Sequence, residues 1–179
     1  MDEHTRFFID TMETPLGTAV LIADATGALR MHAWEDPGET WRARFHRRHG
    51  DAELVTRRDP FGHVAALVRY FEGEITALDT IAVAFTGTAF QHQVWNALRT
   101  IAAGTTLSYG ELAKRIGRPK AVRAVGLANG SNPIGVVVPC HRVVGSNGSL
   151  TGYGGGLARK RWLLAHEARH SAFRLEASV

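Results

Sequence analysis

The chain of 179 residues holds one cysteine, and its neighbours make that cysteine a candidate nucleophile. Cys140 stands between Pro139 and His141, after three valines at 136–138 and before Arg142-Val143-Val144. An apolar run of that length reads as a short buried strand. Pro139 cannot donate to a sheet ladder, so it ends or edges that strand. Cys140 is thereby placed where the interior meets a cleft. Free cysteine is also a small hydrophobe, often buried for packing alone. A functional thiol therefore needs partners, and three sets of partners can be read from the chain.

The first is a metal hydrolase. His166-Glu167-Ala168-Arg169-His170 matches the His-Glu-x-x-His pattern, which on a helix places two imidazoles on one face. Such a site needs a third protein ligand. Downstream only Glu176 is available, and an upstream ligand stays open. The second is a cysteine hydrolase, with Cys140 as nucleophile, His141 as base and Glu167 as the carboxylate that orients it. Adjacent residues on an extended strand face opposite ways. Contact between Cys140 and His141 then needs irregular backbone at Pro139 or a bridging water, and no oxyanion hole is identifiable. The third is alkyl transfer. A thiolate suits SN2 attack on a saturated carbon, and an alkyl group on a nucleobase is such a target once the base is turned out of its duplex. That chemistry requires a DNA-binding element, a residue to hold the vacated space and a pocket of small residues.

The formal net charge of +4 conceals a split. Residues 1–94 carry nine Lys/Arg and fourteen Asp/Glu, a balance of −5; residues 95–179 carry twelve and three, a balance of +9. The basic charge lies in the half that holds Cys140, as a polyanion partner requires, although a solvated basic face has the same composition. A single cysteine excludes an internal disulfide and a cysteine-rich zinc site. Residues 1–6 contain acids and no apolar stretch, so no signal peptide is expected. No apolar run reaches the length of a membrane span, and a cytoplasmic protein is expected.

Strand-like runs at 7–13, 18–23 and 29–34 are separated by Pro15-Leu16-Gly17 and Asp24-Ala25-Thr26-Gly27, which predicts an antiparallel meander. A polar helix over 38–49 has Trp41 and Phe45 at i, i+4; its His46-Arg47-Arg48-His49 reads as a solvated face rather than a metal site. Pro60 opens a stronger helix with Val64, Leu67, Val68 and Phe71 on one face, ending before Gly73. Residues 81–85 form another short apolar run. In the basic half, a helix over 88–101 turns Phe90, Val94, Trp95 and Leu98 to a core. Ser108 and Glu111 make a capping box, Gly117 closes that helix, and Pro119 starts a second helix over 120–128. Two short helices with a tight turn are a helix-turn-helix candidate. Ala121, Ala124, Gly126 and Ala128 leave the second one little bulk, which suits a narrow DNA groove or close packing on another helix. The glycine-rich loop 151–156 feeds a helix over 157–169. It can cradle an anion or close over a planar ligand, and it lacks the Walker ending of a triphosphate site.

The stretches Ser108-Tyr109-Gly110-Glu111-Leu112-Ala113, Arg118-Pro119-Lys120-Ala121-Val122-Arg123-Ala124-Val125-Gly126, Asn132-Pro133, Pro139-Cys140-His141-Arg142-Val143-Val144, Gly152-Tyr153 and Lys160-Arg161-Trp162-Leu163-Leu164-Ala165-His166-Glu167 stand in a characteristic order and spacing. In this the chain closely resembles the O(6)-alkylguanine-DNA alkyltransferases over residues 88–179. Residues 1–87 resemble the bacterial stand-alone members more loosely, through Thr14-Pro15-Leu16-Gly17 and Tyr70-Phe71-Glu72-Gly73.

The resemblance implies an α+β fold. Residues 1–87 would form an antiparallel β-sheet domain with a flanking helix, ribonuclease H-like. Residues 88–179 would form a mostly helical domain with a winged helix-turn-helix. The implied activity is DNA repair by a single, self-inactivating transfer of a methyl or other alkyl group from O6 of guanine in duplex DNA, with O4 of thymine as a second candidate. Cys140 would accept the alkyl group, His141 would be its base through a water, and Glu167 would orient His141. Asn132 would brace the turn, and Tyr109 would rotate the target phosphate and hydrogen-bond or protonate the guanine. Arg123 would fill the gap left by the extruded nucleotide. Tyr109, Lys120, Arg123, Ala124 and Ala128 would meet DNA through its minor groove. Val143, Tyr153 and Gly154 would line the guanine pocket. No cofactor and no metal are implied, and a monomer is expected, with cooperative assembly on DNA as an alternative.

Two departures stand out. The cysteines through which some members hold a structural zinc are missing. Gly154 stands where some relatives have serine, and the run 154–156 suggests a mobile pocket loop. Relatives without the reactive cysteine bind lesions and do not repair them; Cys140 argues against that class.

Overall fold

In the computed structural model, which describes residues 5–38 and 40–177 with side chains up to Ser171, the run 18–23 forms a strand that is apolar throughout because both of its faces are covered. This is β2 (Gly17–Asp24), flanked by β1 (Arg6–Thr14) and β3 (Leu29–Trp34). Ala19 and Leu21 point into the main core, while Val20 and Ile22 join Phe7, Met31 and Ala33 under Trp41 and Phe45 of α1 (Trp41–His49). The three strands pair antiparallel as the meander predicts.

The sheet is not wholly antiparallel. A fourth strand, β4 (Glu53–Thr56), lies on the far edge in the order β3-β2-β1-β4 and runs parallel to β1. Its polar and apolar residues over only four positions carry no strong period, and the crossover that returns the chain to run parallel to β1 is α1. The run 81–85 forms only an isolated bridge, Val83 beside Leu29. Helix α2 (His63–Phe71) begins three residues after Pro60, because Asp59 accepts from the backbone N–H of Val64 and Ala65 at 2.8 and 3.1 Å and so closes its first turn.

The second half is helical: α3 (Ala89–Leu98), α4 (Tyr109–Arg115), α5 (Val122–Gly130) and α6 (Leu157–Ala177), with a two-residue parallel pair of β5 (Leu107–Ser108) and β6 (Val143–Val144). Thr88 with Gln91, and Ser108 with Glu111, form reciprocal capping boxes at α3 and α4. One hydrophobic cluster runs through both halves, joining Leu29, Leu67 and Tyr70 to Trp95, Val125, Val138, Cys140 and Leu163. Among the described residues no helix is long and apolar enough to cross a membrane.

The valines at 136–138 are buried as expected but are not a strand. The backbone coils here: Val136 has φ 67°, Val137 N–H donates to Gly135 O and Val138 N–H to Ile134 O. Burial alone cannot distinguish a strand from a coiled turn whose backbone bonds are made locally.

Candidate active site and nucleic-acid face

Cys140 opens a single 3-10 turn, Cys140–Arg142, directly after Pro139. That turn replaces the extended geometry that would have sent Cys140 and His141 to opposite faces. It closes with Cys140 N–H on Val138 O and Arg142 N–H on Pro139 O. Asn132 staples the coil ahead of it, since its Nδ2 donates to Val138 O at 2.8 Å and its Oδ1 accepts from Ile134 N–H at 3.0 Å. Cys140 is 6% exposed. Burial pushes its thiol up, and this is opposed by a hydrogen bond from Asn132, the charge of Lys160, and the backbone N–H groups of Cys140 and His141.

His141 is fully buried, and its Nε2 donates to Glu167 Oε1 at 2.8 Å. Burial pulls its pKa down and outweighs the opposing pull of Glu167. The imidazole is thus neutral with the proton on Nε2, because an ionised carboxylate can only accept. Nδ1 is buried and has no protein partner among the described residues. This is the arrangement of a base whose free lone pair is set by the bond on its other nitrogen.

Glu167 is the centre of the polar network. It accepts from Tyr70 Oη at 2.7 Å, His141 Nε2 at 2.8 Å, Arg142 Nη2 at 2.8 Å, Arg142 Nε at 2.9 Å and Gly104 N–H at 3.3 Å. Burial alone would raise its pKa. Hydrogen bonds from His141 and Arg142, with the charge of Arg142, outweigh it and hold the carboxyl well below the usual carboxylate range. Arg142 also donates from Nη1 to Ile101 O at 2.6 Å. Sequence reasoning left Arg142 and Tyr70 without roles. The signal available was that Arg142 follows the nucleophile by two residues in an otherwise apolar stretch, where a buried guanidinium must find a carboxylate.

The His-Glu-x-x-His helix is put to another use. His166 Nε2 donates to Tyr70 O at 2.7 Å, and the ring stacks on Trp162 at 4.7 Å. His170 Nδ1 donates to His166 O, while Glu167 turns inward to His141. Among the described residues no group of three or more His, Cys, Asp or Glu could hold a metal ion. The side chain of Glu176 lies outside the described residues.

A cavity of about 270 Å³ has Cys140 on its wall. The second half contributes Asn129, Asn132, Tyr153 and Gly154, and the first half contributes His32, Trp34, Asp36 and Arg44. The first-half side of the wall was therefore invisible to motif reading. Val143 is not among the lining residues; it is fully buried and its carbonyl accepts from Lys160 Nζ at 2.6 Å. Lys160 is itself buried and gives a second bond to Thr151 O at 2.8 Å.

Within the glycine loop Gly155 is closely packed, whereas a Cβ on Gly152 or Gly156 would meet nothing within 4 Å. A Cβ on Gly155 would meet Tyr153 Cε1 at 2.8 Å and Trp34 Nε1 at 3.1 Å. Arg159 of α6 donates to Gly155 O at 3.1 Å, to Leu16 O at 3.0 Å and to Asp36 Oδ1 at 2.8 Å, with its guanidinium 4.5 Å from the Trp34 ring centre. One side chain thus ties the loop to the first half.

Helices α4 and α5 are joined by the turn 116–121. Lys120, Arg123 and Ala124 are exposed at and near the start of α5, together with Val122 at 40% and Leu127 at 73% exposure. Ala128 is on the opposite side, 4% exposed, with its carbonyl accepting from Trp95 Nε1 at 2.8 Å. It packs α5 onto α3 and does not reach the outer face, which Leu127 occupies instead. Tyr109 is half-buried beside Gly126 and donates weakly to Thr151 O at 3.5 Å.

Residues 89–169 match the family model described as 6-O-methylguanine DNA methyltransferase, DNA binding domain. The chain is 46% identical over 164 residues to a methylated-DNA–protein-cysteine methyltransferase of Salmonella typhimurium, covering 90% of this chain and 96% of that one. It resembles the solved structure of a Mycobacterium tuberculosis O6-methylguanine methyltransferase with TM-score 0.78 and 40% identity, covering 92% of this chain and 94% of the other. It also resembles the M. tuberculosis OGT solved in complex with DNA, with TM-score 0.76 and 42% identity over 92% and 94% of the two chains.

Proposed function

The chain belongs to the methylated-DNA–protein-cysteine methyltransferases, and we propose that it repairs duplex DNA by moving one alkyl group from O6 of guanine onto Cys140. The observation that carries this is the buried series from Cys140 through His141 to Glu167, set on the wall of a cavity shared by both halves. His141 Nδ1 takes the thiol proton through a water, and Glu167 holds the imidazolium that results. The sulfur then attacks the alkyl carbon, the bond from carbon to O6 breaks, and the electron pair stays on the guanine, whose ring regains a proton with help from Tyr109. Thiol and alkylguanine become thioether and guanine. The thioether carbon–sulfur bond is stable to hydrolysis, so each chain acts once.

Asn132 braces the turn and stabilises the thiolate. Tyr153 and Gly154 bound the base. Arg123 fills the vacated stack and Tyr109 turns the target phosphate, while Lys120 and Ala124 stand on the face offered to the minor groove. The sheet order β3-β2-β1-β4 with its parallel edge supports the ribonuclease H-like reading of residues 1–87. The pair α4 and α5 beside β5 and β6 supports a winged helix-turn-helix in residues 88–179. The reading is completed by a cytoplasmic monomer that needs no cofactor and no metal.

Incubation with a duplex carrying one O6-methylguanine, followed by intact-mass analysis, tests this. One added CH2 on the Cys140 peptide, limited to one per chain, is the expected result. Turnover beyond one, or transfer that survives in Cys140→Ser, would overturn it. Cys140→Ser retains DNA binding if the thiol is chemical rather than structural.

A further inference from the structure

Beside the Cys140 cavity lies a second one of about 360 Å³, lined by Arg44, Arg47, Arg48, Gly130, Ser131 and Asn132. Arg44, Gly130 and Asn132 border both. The arginines come from α1, whose nine residues WRARFHRRH include four arginines and no acid, in a half of the chain whose balance is −5. Trp41 and Phe45 bury one side of α1 against the sheet. Arg44, Arg47 and Arg48, spaced i, i+3, i+4, share another side and face the end of α5.

Arg44 is the member of this cluster that hydrogen bonding among the described residues leaves unsatisfied. Arg42 reaches Glu35 at 3.6 Å, outside the cavity. Asp36, which feels the charge of Arg44, is hydrogen-bonded by Arg159. Arg48 donates to the carbonyl of Ser131 at 2.9 Å, and Arg44 Nε is buried without a protein partner among the described residues. A basic last turn suits the negative end of a helix, which covers Arg47 and Arg48 but not Arg44. Burial, then the neighbouring charges of Arg44 and Arg47, disfavour the charged form of Arg48. Opposite the arginines, a Cβ on Gly130 would meet nothing within 4 Å, so the backbone there is open to a ligand.

We propose that Arg44, Arg47 and Arg48 bind a phosphate of the DNA strand that carries the extruded nucleotide, so that α1 of the first half is part of the DNA interface. This rests on the alkyl-transfer reading above. A base held in the Cys140 cavity keeps its sugar and flanking phosphates at the lip, which is where Arg44 stands. Guanidinium groups bind phosphate in a planar, two-pronged way.

The test is DNA binding of the full chain by fluorescence anisotropy across a KCl series, using the O6-methylguanine duplex. In Arg44→Ala/Arg47→Ala, with Arg48 left to hold Ser131, affinity should fall roughly tenfold and the salt slope should flatten by about 1 to 2. Arg44→Lys/Arg47→Lys should keep most of the slope, which separates charge from packing. Transfer from free O6-methylguanine, which has no phosphate, reports whether the alanine variant is folded; if it is not, Arg47→Glu at an exposed position replaces it, and affinity should drop further still. A parent that binds and repairs while the variants match its slope and affinity overturns this site alone. A parent without salt-dependent binding or transfer overturns the DNA reading instead.

Discussion

Arg142 and Glu167 meet side-on, with Nε on Oε2 at 2.9 Å and Nη2 on Oε1 at 2.8 Å, inside the protein and within two residues of Cys140. The pair holds the carboxylate that holds His141, so the turn bearing the nucleophile is tied to α6 through charge as well as packing. Removing one member of such a buried pair leaves the other uncompensated. Arg142→Ala should cost about 3–5 kcal/mol of stability, read as a shifted urea midpoint with unchanged slope. Near-parental stability would show that the pair is dispensable.

Acid sensitivity should have two sources. Glu167 titrates far lower in the folded than in the unfolded protein, where its ordinary value is near 4.5. The unfolded chain then binds that proton more tightly, so the contribution is full above about pH 4.5 and is lost as pH falls. His32 is pulled by burial, and then by the charge of Arg159, from 6.5 to about 4. Its stabilising contribution is full above about pH 6.5 and declines toward pH 4, by the same sign. Urea titrations at several pH values should show a shallower loss between pH 6.5 and 4 in His32→Leu, with a residue of slope from His49, also drawn to about 4. Identical pH profiles for parent and variant would refute the assignment.

Asn132→Ala removes both a loop staple and a hydrogen bond to the sulfur. The thiol, already raised by burial, should rise further, and single-turnover transfer should slow by roughly 10–100-fold, in the range of a lost charge-assisted bond. The pH dependence of Cys140 alkylation by iodoacetamide reads the shift directly. An unmoved profile with slow transfer would confine Asn132 to a structural part.

Arg123 is exposed near the start of α5, away from the Cys140 cavity. Arg123→Ala should therefore slow transfer on duplex DNA by at least tenfold, and free alkylguanine much less, because only the duplex has a gap to fill. Equal losses on both substrates would remove Arg123 from that role.

Legibility differed sharply from element to element. The capping boxes at Thr88 and Ser108 are local, since each satisfies its own backbone donors within three residues, and the one at Ser108 was legible in the sequence. The antiparallel meander followed from its turns. The parallel edge strand β4 did not, because four residues without alternation leave pairing direction to the crossover. At 136–138 the valines announced burial but not shape, and Asn132, earlier in the chain, supplies the bonds that a sheet partner would have made.

The amino-acid order by itself determined the chemistry: one thiol, a histidine beside it, a carboxylate on a later helix and a basic half to meet a polyanion. These depend on residue type and short-range spacing. Only the tertiary structure decided which groups share one enclosure. Tyr70 and Glu167 touch across 97 positions, His32 and Trp34 reach the wall of the Cys140 cavity, and the arginines of α1 come to its lip. Such neighbours arise when a common core folds distant segments together, a long-range event that no local period records.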